Sequence, residues 1–399
     1  MSLAGLGWLV ACGGGGDGGA SDARSSVDER FFSTPSGETV KVVTVARGLS
    51  HPWSLTFMPD GRMLVTERAG AMRLVSANGT ISAPISGLPP VVAGGQGGLL
   101  DVQLPPDYAA SPWVYWAYSE AGTGTDADKA GTAVARGQLV GAGMTNAMTN
   151  VQVIFRQSPK VTGTEHFGSR LAFAPDGTLF VTLGERHQDD PAAPGLDHAQ
   201  NVTNHLGKVV RIQRDGGLPM GNPSFGSPEA KPELWSIGHR NPQGAAIHPE
   251  TGELWLTEHG PQGGDELNRI LPGRNYGWPV RSYGCPYGAP PGEACRVNGG
   301  THAPDFEEPL TYWVPISIAP SGMAFYTGTR HPQWRGNLFL GALSGQALWR
   351  LTLNGNTVTQ REALFTGELG RIRDVRQGPD GWLYLLTDSD NGLILRIER

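Results

Sequence analysis

The sequence predicts an all-β fold, a six-bladed β-propeller whose long inter-strand loops gather at one mouth. Three observations predict it: a turn-rich composition, one strand pattern that recurs six times, and long insertions after the second strand of several copies. With 58 glycines, 31 prolines and 17% charged residues among 399, the chain has the composition of many short strands joined by tight turns. Helical domains rarely have this composition.

The clearest copy of the repeat covers residues 52–75. It alternates apolar and polar residues, turns at Pro59-Asp60-Gly61, and turns again at Ala69-Gly70. Asp-Gly between alternating apolar runs is a strong hairpin signal. The segment therefore predicts three short antiparallel strands.

Five more copies follow the first. Clear copies cover 169–185, 242–260 and 372–388, and weaker ones begin at Gly97 and Ser321. A single sheet of three or four strands cannot bury both of its apolar faces alone. Six such sheets bury them best by packing face to face around a central axis. The alternative, a β-sandwich with long insertions, leaves the recurring Pro-Asp-Gly turn unexplained.

The spacing between copies is unequal, and we expect the largest insertions after Glu185, Gly260 and Leu310. Loops longer than about 15 residues are usually functional. Because these loops begin where the second strand of a copy ends, we expect them to form the active-site mouth of the propeller.

The first 28 residues predict a lipoprotein-like signal and a flexible tether, and residues 29–399 predict the propeller domain. Cys12 follows an apolar stretch and Leu9-Val10-Ala11, as in a bacterial lipobox, and a glycine-rich run comes after it. No Lys or Arg precedes the apolar stretch, and a disordered leader is the alternative. The lipobox predicts a periplasmic protein with a lipid anchor at Cys12.

The net charge and the two remaining cysteines further limit the class of partner and the bonding expected of this protein. A net charge of -6 and the lack of a basic stripe argue against a nucleic-acid partner. Cys285 and Cys295 bracket a Pro/Gly-rich loop, and two nearby cysteines in an exported protein most often form a disulfide. Two unpaired thiols are the alternative.

Polar clusters stand just before the first strand of four copies, at Gln96, at His166, at Arg240-Asn241 and at Arg371-Ile372-Arg373. Equivalent positions in successive blades converge on the axis, so we expect these residues to line one pocket. A neutral imidazole, with its ordinary pKa of about 6.5, is suited to taking a proton from a substrate hydroxyl. For a lone histidine, a hydrogen-bonded structural role is the alternative reading of His166.

The two arginines at the start of the last copy suggest a ligand with carboxylates. Arg371 and Arg373 lie two apart in a strand-like run, so both point to one side, and guanidinium groups bind carboxylates with two parallel hydrogen bonds. Salt bridges to Asp374 or to a neighbouring blade are the alternative.

The segment 258–279, EHGPQGGDELNRILPGRNYGWP, is the most distinctive in the chain. It offers hard oxygen donors at Asp265 and Glu266, with Gly and Pro carbonyls in an irregular loop, and these are the donors that calcium selects. The alternating acidic ligands of an EF-hand loop are missing.

Several motifs, in order, closely resemble one family from about Gly48 to the C-terminus. The motifs are GQGGLLDV, HFGSRLAFAPDG, TNHLGKVVRI, ELWSIGHRNPQG, TEHGPQGGDELN, GRNYGWP, APSGMAFY and RIRDVRQGPDG. Together they resemble the soluble aldose sugar dehydrogenases, the branch dependent on pyrroloquinoline quinone (PQQ) that is related to soluble glucose dehydrogenase.

The resemblance implies oxidation of the anomeric hydroxyl of an aldose, with electrons passed to an external acceptor. His166 matches the family's general base, which removes the hydroxyl proton as hydride passes to the quinone carbonyl carbon. Arg240 matches the residue that stabilises negative charge on the quinone oxygen. The resemblance further assigns a set of PQQ-binding positions: Gln96, Arg240, Asn241, Ala342, Leu343, Ser344, Arg371, Ile372 and Arg373.

The resemblance also implies two calcium sites. Gly260 and Pro261 match the pair whose backbone carbonyls hold the cofactor calcium, a Lewis acid that polarises the quinone carbonyl. Glu266 and Tyr276 match a second, structural calcium site.

Two positions depart from the family pattern. Family members carry Lys where this chain has Ser344, and a serine cannot supply that positive charge, so we expect weaker PQQ binding. Family members use an acidic or carbonyl donor near Ala289 for the structural calcium, and an alanine side chain cannot serve.

Two other function classes compete with a quinone enzyme. A non-catalytic propeller that binds a protein or glycan would need none of His166, Arg240, Arg371 and Arg373. A calcium-dependent propeller lactonase would need an acidic cluster facing the axis, and the sequence offers no convincing set. The preferred aldose, the electron acceptor and the oligomeric state do not follow from the sequence.

Overall fold

The computed structural model describes residues 28–142, 145–191, 193, 195, 197–292 and 294–399. Within these residues, 24 strands form six antiparallel sheets. Cys12 and all but the last residue of the predicted 1–28 segment lie outside the described residues. No helix in the described part of the chain is long and apolar enough to cross a membrane.

The first three sheets are blades 1 to 3, each numbered from its inner strand outward. Blade 1 holds β3 (Pro52–Phe57), β4 (Met63–Glu67) and β5 (Ala71–Val75). Blade 2 holds β6 (Leu99–Gln103), β7 (Val114–Ala121), β8 (Ala130–Ala142) and β9 (Thr145–Arg156). Blade 3 holds β10 (Gly168–Phe173), β11 (Leu179–Leu183), β12 (Lys208–Ile212) and β13 (Leu234–Ile237).

Blades 4 to 6 complete the ring. Blade 4 holds β14 (Pro242–Ile247), β15 (Leu254–Glu258), β16 (Asp265–Ile270) and β17 (Thr311–Trp313). Blade 5 holds β18 (Pro320–Phe325), β19 (Leu338–Ala342), β20 (Leu348–Asn354) and β21 (Thr357–Leu364). Blade 6 holds β22 (Ile372–Gln377), β23 (Leu383–Thr387) and β24 (Gly392–Glu398), extended by the N-terminal strands β2 (Thr39–Leu49) and β1 (Glu29–Ser33). Short 3₁₀ helices cover Gly124–Asp126, His198–Gln200 and Pro332–Trp334.

The six inner strands contact one another in circular order. β3 contacts β6, β6 contacts β10, β10 contacts β14, β14 contacts β18, β18 contacts β22, and β22 returns to β3. The ring is closed by the pairing of β2 with β24, which joins the N-terminal and C-terminal strands in one sheet. This arrangement confirms the six-bladed propeller predicted from the sequence.

Apolar side chains fill each space between neighbouring blades. Trp116 of blade 2 packs with Leu64 and Leu74 of blade 1, and Trp255 of blade 4 packs with Met323 of blade 5. Because both faces of a blade are covered in this way, strand residues on either face are buried, and the propeller needs no separate central core.

The recurring Pro-Asp-Gly turn has one geometry in three blades. Gly61, Gly177 and Gly381 all adopt a positive φ, between 82° and 85°, which glycine tolerates without steric cost. The Asp side chain before each glycine accepts a hydrogen bond from the backbone N–H two residues on, as in an Asx turn. Each predicted copy therefore forms the two inner strands of a blade.

One prediction about the insertions is wrong. Only four residues separate Gly260 from β16, and Leu310 is followed by β17 and a short connection. The long insertion therefore lies between β16 and β17, at 271–310. The third strand, DELNRI, pairs in full register with β15, and that pairing places the insertion one strand later. The predicted disulfide between Cys285 and Cys295 lies in this segment and is confirmed.

Candidate active site

Each functional position lies where an inner hairpin meets the mouth of the propeller. The register pairs Gly168 with Leu183, Pro242 with Glu258, and Ile372 with Thr387. The residues just beyond those pairs face each other across the hairpin. This geometry sets His166 against Glu185, Arg240 against Gly260, and Arg371 against Asp388.

His166 is buried and held from two sides. Its backbone N–H donates to Gln96 Oε1 at 3.1 Å, and its Nδ1 lies 2.5 Å from Glu185 Oε1. The other carboxylate oxygen of Glu185 accepts the backbone N–H groups of Gln188 and Asp189. Ionised Glu185 can only accept from the imidazole, and with it Nδ1 is the donor and Nε2 is the basic nitrogen.

The surroundings keep His166 uncharged at neutral pH. Burial, followed by the positive charge of Arg240, lowers the pKa of the His166 imidazole well below its usual value. Burial also raises the pKa of the Glu185 carboxyl. A neutral, oriented imidazole is the form that acts as a general base.

Gln96 joins three blades at the mouth. Its Oε1 accepts from the His166 backbone, from Asn241 Nδ2 at 3.2 Å and from Gln243 Nε2 at 3.3 Å. Gln243 Oε1 in turn accepts from Arg373 NH1 at 2.7 Å. We call these residues, with Arg240, Arg371 and Asp388, the mouth network.

Arg371 and Arg373 share one carboxylate. Arg371 NH2 and Arg373 NH2 lie 3.1 and 3.0 Å from Asp388 Oδ2. The other oxygen of Asp388, Oδ1, contacts His51 Nδ1. Burial acts to raise the pKa of Asp388. The charge of Arg373 and the other groups that contact this carboxylate outweigh burial and hold the pKa of Asp388 below its usual range. The predicted alternative of a bridge to Asp374 is wrong for this pair, since Arg376 and Arg170 contact Asp374 instead.

The guanidinium of Arg240 donates only to neutral groups in the described part of the chain, although the Arg240 backbone N–H donates to Glu258 Oε2 at 2.7 Å. Its NH1 donates to the carbonyls of His259 and Gly260, at 3.2 and 2.7 Å, and its NH2 donates to the Tyr287 hydroxyl at 3.0 Å. Trp278 lies beneath the guanidinium, 5.1 Å from the ring centre. The positive charge is therefore balanced by no ion pair of its own among the described residues.

Two buried guanidinium donors at the mouth lack any partner among the residues described: Arg240 Nε and Arg373 Nε. Buried polar groups are normally satisfied, so these two donors at the mouth are available to bond to a ligand. Since Arg371 and Arg373 also share a single carboxylate, the local excess of positive charge suits an anionic ligand.

Asp265 organises the loops beside Arg240 and is unavailable as a metal ligand. It accepts the backbone N–H of Gly260, the Ser317 hydroxyl, and the backbone N–H groups of Ile318 and Ala319. Burial raises its pKa to about 6. The sequence predicts an ion donor at this side chain, but both of its carboxylate oxygens already accept these hydrogen bonds.

The blade 5 positions reach the mouth through the same loop. The backbone N–H groups of Leu343 and Ser344 donate to Ala319 and Ile318. Ala342 and Leu343 are buried, while Ser344 is exposed. The Ile372 side chain is buried between blades 5 and 6, so only its backbone can contact a ligand.

Glu266 and Tyr276 line a separate small cavity of about 10 Å³, together with Glu258 and Arg240. Burial and then the charge of Glu258 raise the pKa of Glu266 well above its ordinary value. The Tyr276 hydroxyl already donates to the Arg269 carbonyl and accepts from the Leu271 backbone. Tyr276 can therefore offer an ion its backbone carbonyl but not its hydroxyl.

No group of three or more His, Cys, Asp or Glu side chains in the described ranges is arranged as a metal site. A calcium ion at Gly260 and Pro261 would instead use backbone carbonyls, and the Gly260 oxygen has a second lone pair besides the one that Arg240 occupies. Ala289, where the family pattern has a donor to the structural calcium, offers only its backbone carbonyl, and that carbonyl accepts a hydrogen bond from Gln262 Nε2 at 3.4 Å.

Sequence reasoning missed several residues that build the mouth. Sequence reasoning overlooked Glu185, which orients His166, and Asp388, which binds the two arginines. It also found no convincing acidic set near the axis, whereas these acids are present and are paired with other side chains. The missed residues are Glu185, His187, Gln243, Tyr287 and Asp388. For Glu185 and Asp388 the signal is the hairpin register, which sets them opposite His166 and Arg371.

Comparison with known proteins gives a consistent result. The model of the glucose/sorbosone dehydrogenase family matches residues 49–396. An aldose sugar dehydrogenase of Escherichia coli is 44% identical over 362 residues, covering 90% of this chain and 93% of that protein. A crystal structure of a glucose dehydrogenase has 48% identity and a TM-score of 0.81, covering 89% of this chain and 98% of that one. The PQQ-bound form of an aldose sugar dehydrogenase from Streptomyces coelicolor has 30% identity and a TM-score of 0.71, covering 92% and 100%.

Proposed function

The chain belongs to the glucose/sorbosone dehydrogenase family, and on that premise we propose that this sugar oxidoreductase uses PQQ and calcium to oxidise the anomeric hydroxyl of aldoses to lactones. Electrons then pass to an external acceptor. The observation that carries the proposal is the set of arginines at the mouth: Arg371 and Arg373 share the Asp388 carboxylate, and the Arg240 guanidinium forms no ion pair among the described residues. PQQ carries carboxylates, and a relative at 30% identity is described as PQQ-bound.

The arginines and amides of the mouth would hold the cofactor. Arg371 and Arg373 present guanidinium groups to carboxylates, and Gln96 and Asn241 supply amide groups from the neighbouring blades. The unpaired Nε donors of Arg240 and Arg373 fit a ligand with several acceptor oxygens. Tyr287 exposes an aromatic ring at the rim, on which a planar ligand can stack.

His166 would take the hydroxyl proton. Its Nε2 accepts the proton of the anomeric hydroxyl while the C–H bond is broken, the two electrons and hydrogen leave as hydride, and the carbon becomes the lactone carbonyl. When bound, PQQ supplies the two-electron acceptor for that hydride. Glu185 stabilises the resulting imidazolium through the hydrogen bond to Nδ1.

Arg240 would act through charge. Its guanidinium would stabilise the negative charge that develops on the ligand during hydride transfer, because a fixed cation in a buried site stabilises such charge strongly. The same cation keeps His166 neutral before the reaction. One side chain thus favours both the basic form of the imidazole and the charge of the transition state.

Calcium would use two places. The Gly260 and Pro261 carbonyls fit a hard cation beside the ligand, where it acts as a Lewis acid. The cavity between Glu258 and Glu266 fits a second ion, because an ion there would compensate two buried carboxylates.

The test is reconstitution. The purified apoprotein is mixed with PQQ, with calcium, with both or with neither, and dye reduction is followed across a panel of aldoses and their polyol counterparts. We expect activity only with both additions, only on aldoses, and lost on chelation of calcium. Full activity without PQQ would refute the cofactor, and binding of a glycan without turnover would favour the non-catalytic alternative.

We also propose that the protein is exported and anchored by lipid at Cys12. The support is the Leu9-Val10-Ala11-Cys12 sequence followed by a glycine-rich run. Cys12→Ala should release active enzyme from the membrane fraction into the soluble periplasm. An unchanged membrane fraction would refute the anchor.

A further inference from the structure

His187 stands at the mouth in an unusual backbone conformation. It follows Arg186 just after β11, and the two residues have φ values of 56° and 64°. Consecutive left-handed residues other than glycine are costly and persist only where their surroundings fix them. Such a conformation is a reason to look for function at the side chain that it aims.

Arg186 fixes this turn. Its guanidinium donates to the carbonyls of Ala130, Gly163 and Glu165, at 2.6 to 2.8 Å, and it lies 3.5 Å from the centre of the Phe167 ring. With Arg186 buried and fully bonded, the next residue is turned outward. His187 is therefore exposed at the rim.

The His187 ring lies beside the predicted base. Its centre is 5.0 Å from that of His166 and 6.5 Å from that of Tyr287. A sugar ring between two imidazoles would need two van der Waals contacts of about 3.5–4 Å each, so the spacing to His166 is too small for a sandwich. Both imidazoles must instead face the same end of a bound sugar.

The ring nitrogens of His187 have no hydrogen-bond partner within the described ranges. Charged and titratable neighbours on the surrounding elements are Glu165, His166, Glu185, Arg186 and Arg240. The acids among them are occupied, Glu165 by Thr164 and Glu185 by His166. The imidazole of His187 is thus free to bond to a substrate.

We propose that His187 is a substrate-recognition residue that hydrogen-bonds the hydroxyl on C2 of the aldose, next to the reacting carbon. The inference rests on the proposed function, which puts the anomeric hydroxyl at His166. Besides its hydrogen and the reacting hydroxyl, that carbon is bonded to the ring oxygen, which only accepts, and to C2, which carries a hydroxyl that donates and accepts. Either tautomer of His187 can therefore bond to it.

The experiment compares D-glucose with 2-deoxy-D-glucose, and D-galactose with its 2-deoxy form, on the PQQ- and calcium-loaded enzyme. The variants are His187→Ala and His187→Asn, and Asn tolerates the left-handed backbone. His198→Ala is the matched control, a histidine on the same inter-strand segment farther from His166. Steady-state kcat/KM is measured for each sugar.

We expect the wild type and His198→Ala to prefer the parent sugar by about 10-fold, the value of one lost hydrogen bond. In both His187 variants kcat/KM for the parent sugar should fall by about that factor while the 2-deoxy value stays constant, so the preference disappears. An unchanged preference, or an equal fall for both sugars, would overturn the inference. A loaded wild type that oxidises none of these sugars would instead overturn the proposed function, and this inference with it.

Discussion

Two groups of charged side chains lie on the axis of the propeller at different depths along the same strands. On β22, Arg373 faces the mouth and Arg376 lies deeper. On the hairpin of blade 3, His166 precedes the first strand and Arg170 lies within it. We call the deeper group, which consists of Asp101, Arg170, Asp374 and Arg376, the axial cluster.

The axial cluster is balanced in charge. Arg170 pairs with Asp101 and Asp374, at 3.3 and 3.0 Å, and Arg376 pairs with the same two acids. Ser54 also donates to Asp101. Two cations and two anions close a network that links blades 1, 2, 3 and 6, and it has no need of a ligand.

The mouth network is not balanced. Arg371 and Arg373 share the single carboxylate of Asp388, and Arg240 has only neutral acceptors among the described residues. Burial alone does not distinguish the two groups, because both contain arginines that are almost inaccessible. The pairing of the arginines distinguishes them: each arginine of the axial cluster contacts two acids, whereas at the mouth two arginines share one acid and Arg240 forms no ion pair among the described residues.

The largest expected effect lies in the axial cluster. Arg170→Met should lower the free energy of unfolding by about 3–5 kcal/mol, because Asp101 and Asp374 would remain buried with one partner fewer. Chemical denaturation measures the change, and Arg371→Gln at the half-exposed mouth position is the control, with less than about 1 kcal/mol expected. Equal losses in the two variants would remove the distinction between the groups.

The next effect lies at the mouth. Arg371→Gln should weaken PQQ binding by about 10-fold, since a charge-assisted bond to a carboxylate is lost. Arg371→Lys keeps the charge but not the planar guanidinium group, so its affinity for PQQ should lie between those of the wild type and Arg371→Gln. Fluorescence titration with PQQ measures the affinity, and wild-type affinity in Arg371→Gln would contradict the assignment.

A shift in pH dependence should follow from the coupling of Arg240 and His166. The folded pKa of His166 lies below its ordinary value, so the base stays neutral and active as pH falls to that lowered pKa. Arg240→Gln removes a positive charge and should move the acid limb of kcat/KM to higher pH. A limb that stays in place, or moves to lower pH, would show that His166 does not set it.

The smallest effect should come from Ser344. Ser344→Lys places a cation at an exposed position beside the mouth and should strengthen PQQ binding about 2- to 5-fold, the range of an exposed ion pair. Asn354→Lys, exposed at the far hairpin of the same blade, should leave the affinity unchanged. An equal gain in both variants would indicate a long-range charge effect and not a contact.

The repeat made most of this fold predictable from the sequence, because each Pro-Asp-Gly turn fixes one inner hairpin. The same repeat held an unused signal: an acid lies at the end of the second strand of each clear copy or within two residues of it, and all four acids are buried. These acids are Glu67, Glu185, Glu258 and Asp388. The partners of those acids could not be predicted, since Asp388 receives His51 from another blade through the closure of the ring.

The central claim is that the mouth holds an anionic quinone and aims the basic nitrogen of His166 at the sugar. The most direct measurement is a single turnover: PQQ- and calcium-loaded wild type and His166→Gln are mixed with aldose, without acceptor, and the absorbance of the bound oxidised quinone is followed. We predict that His166→Gln retains PQQ, because the arginines remain, and that its absorbance bleaches at least about 100-fold more slowly. Bleaching at the wild-type rate, or loss of PQQ from the variant, would contradict the account.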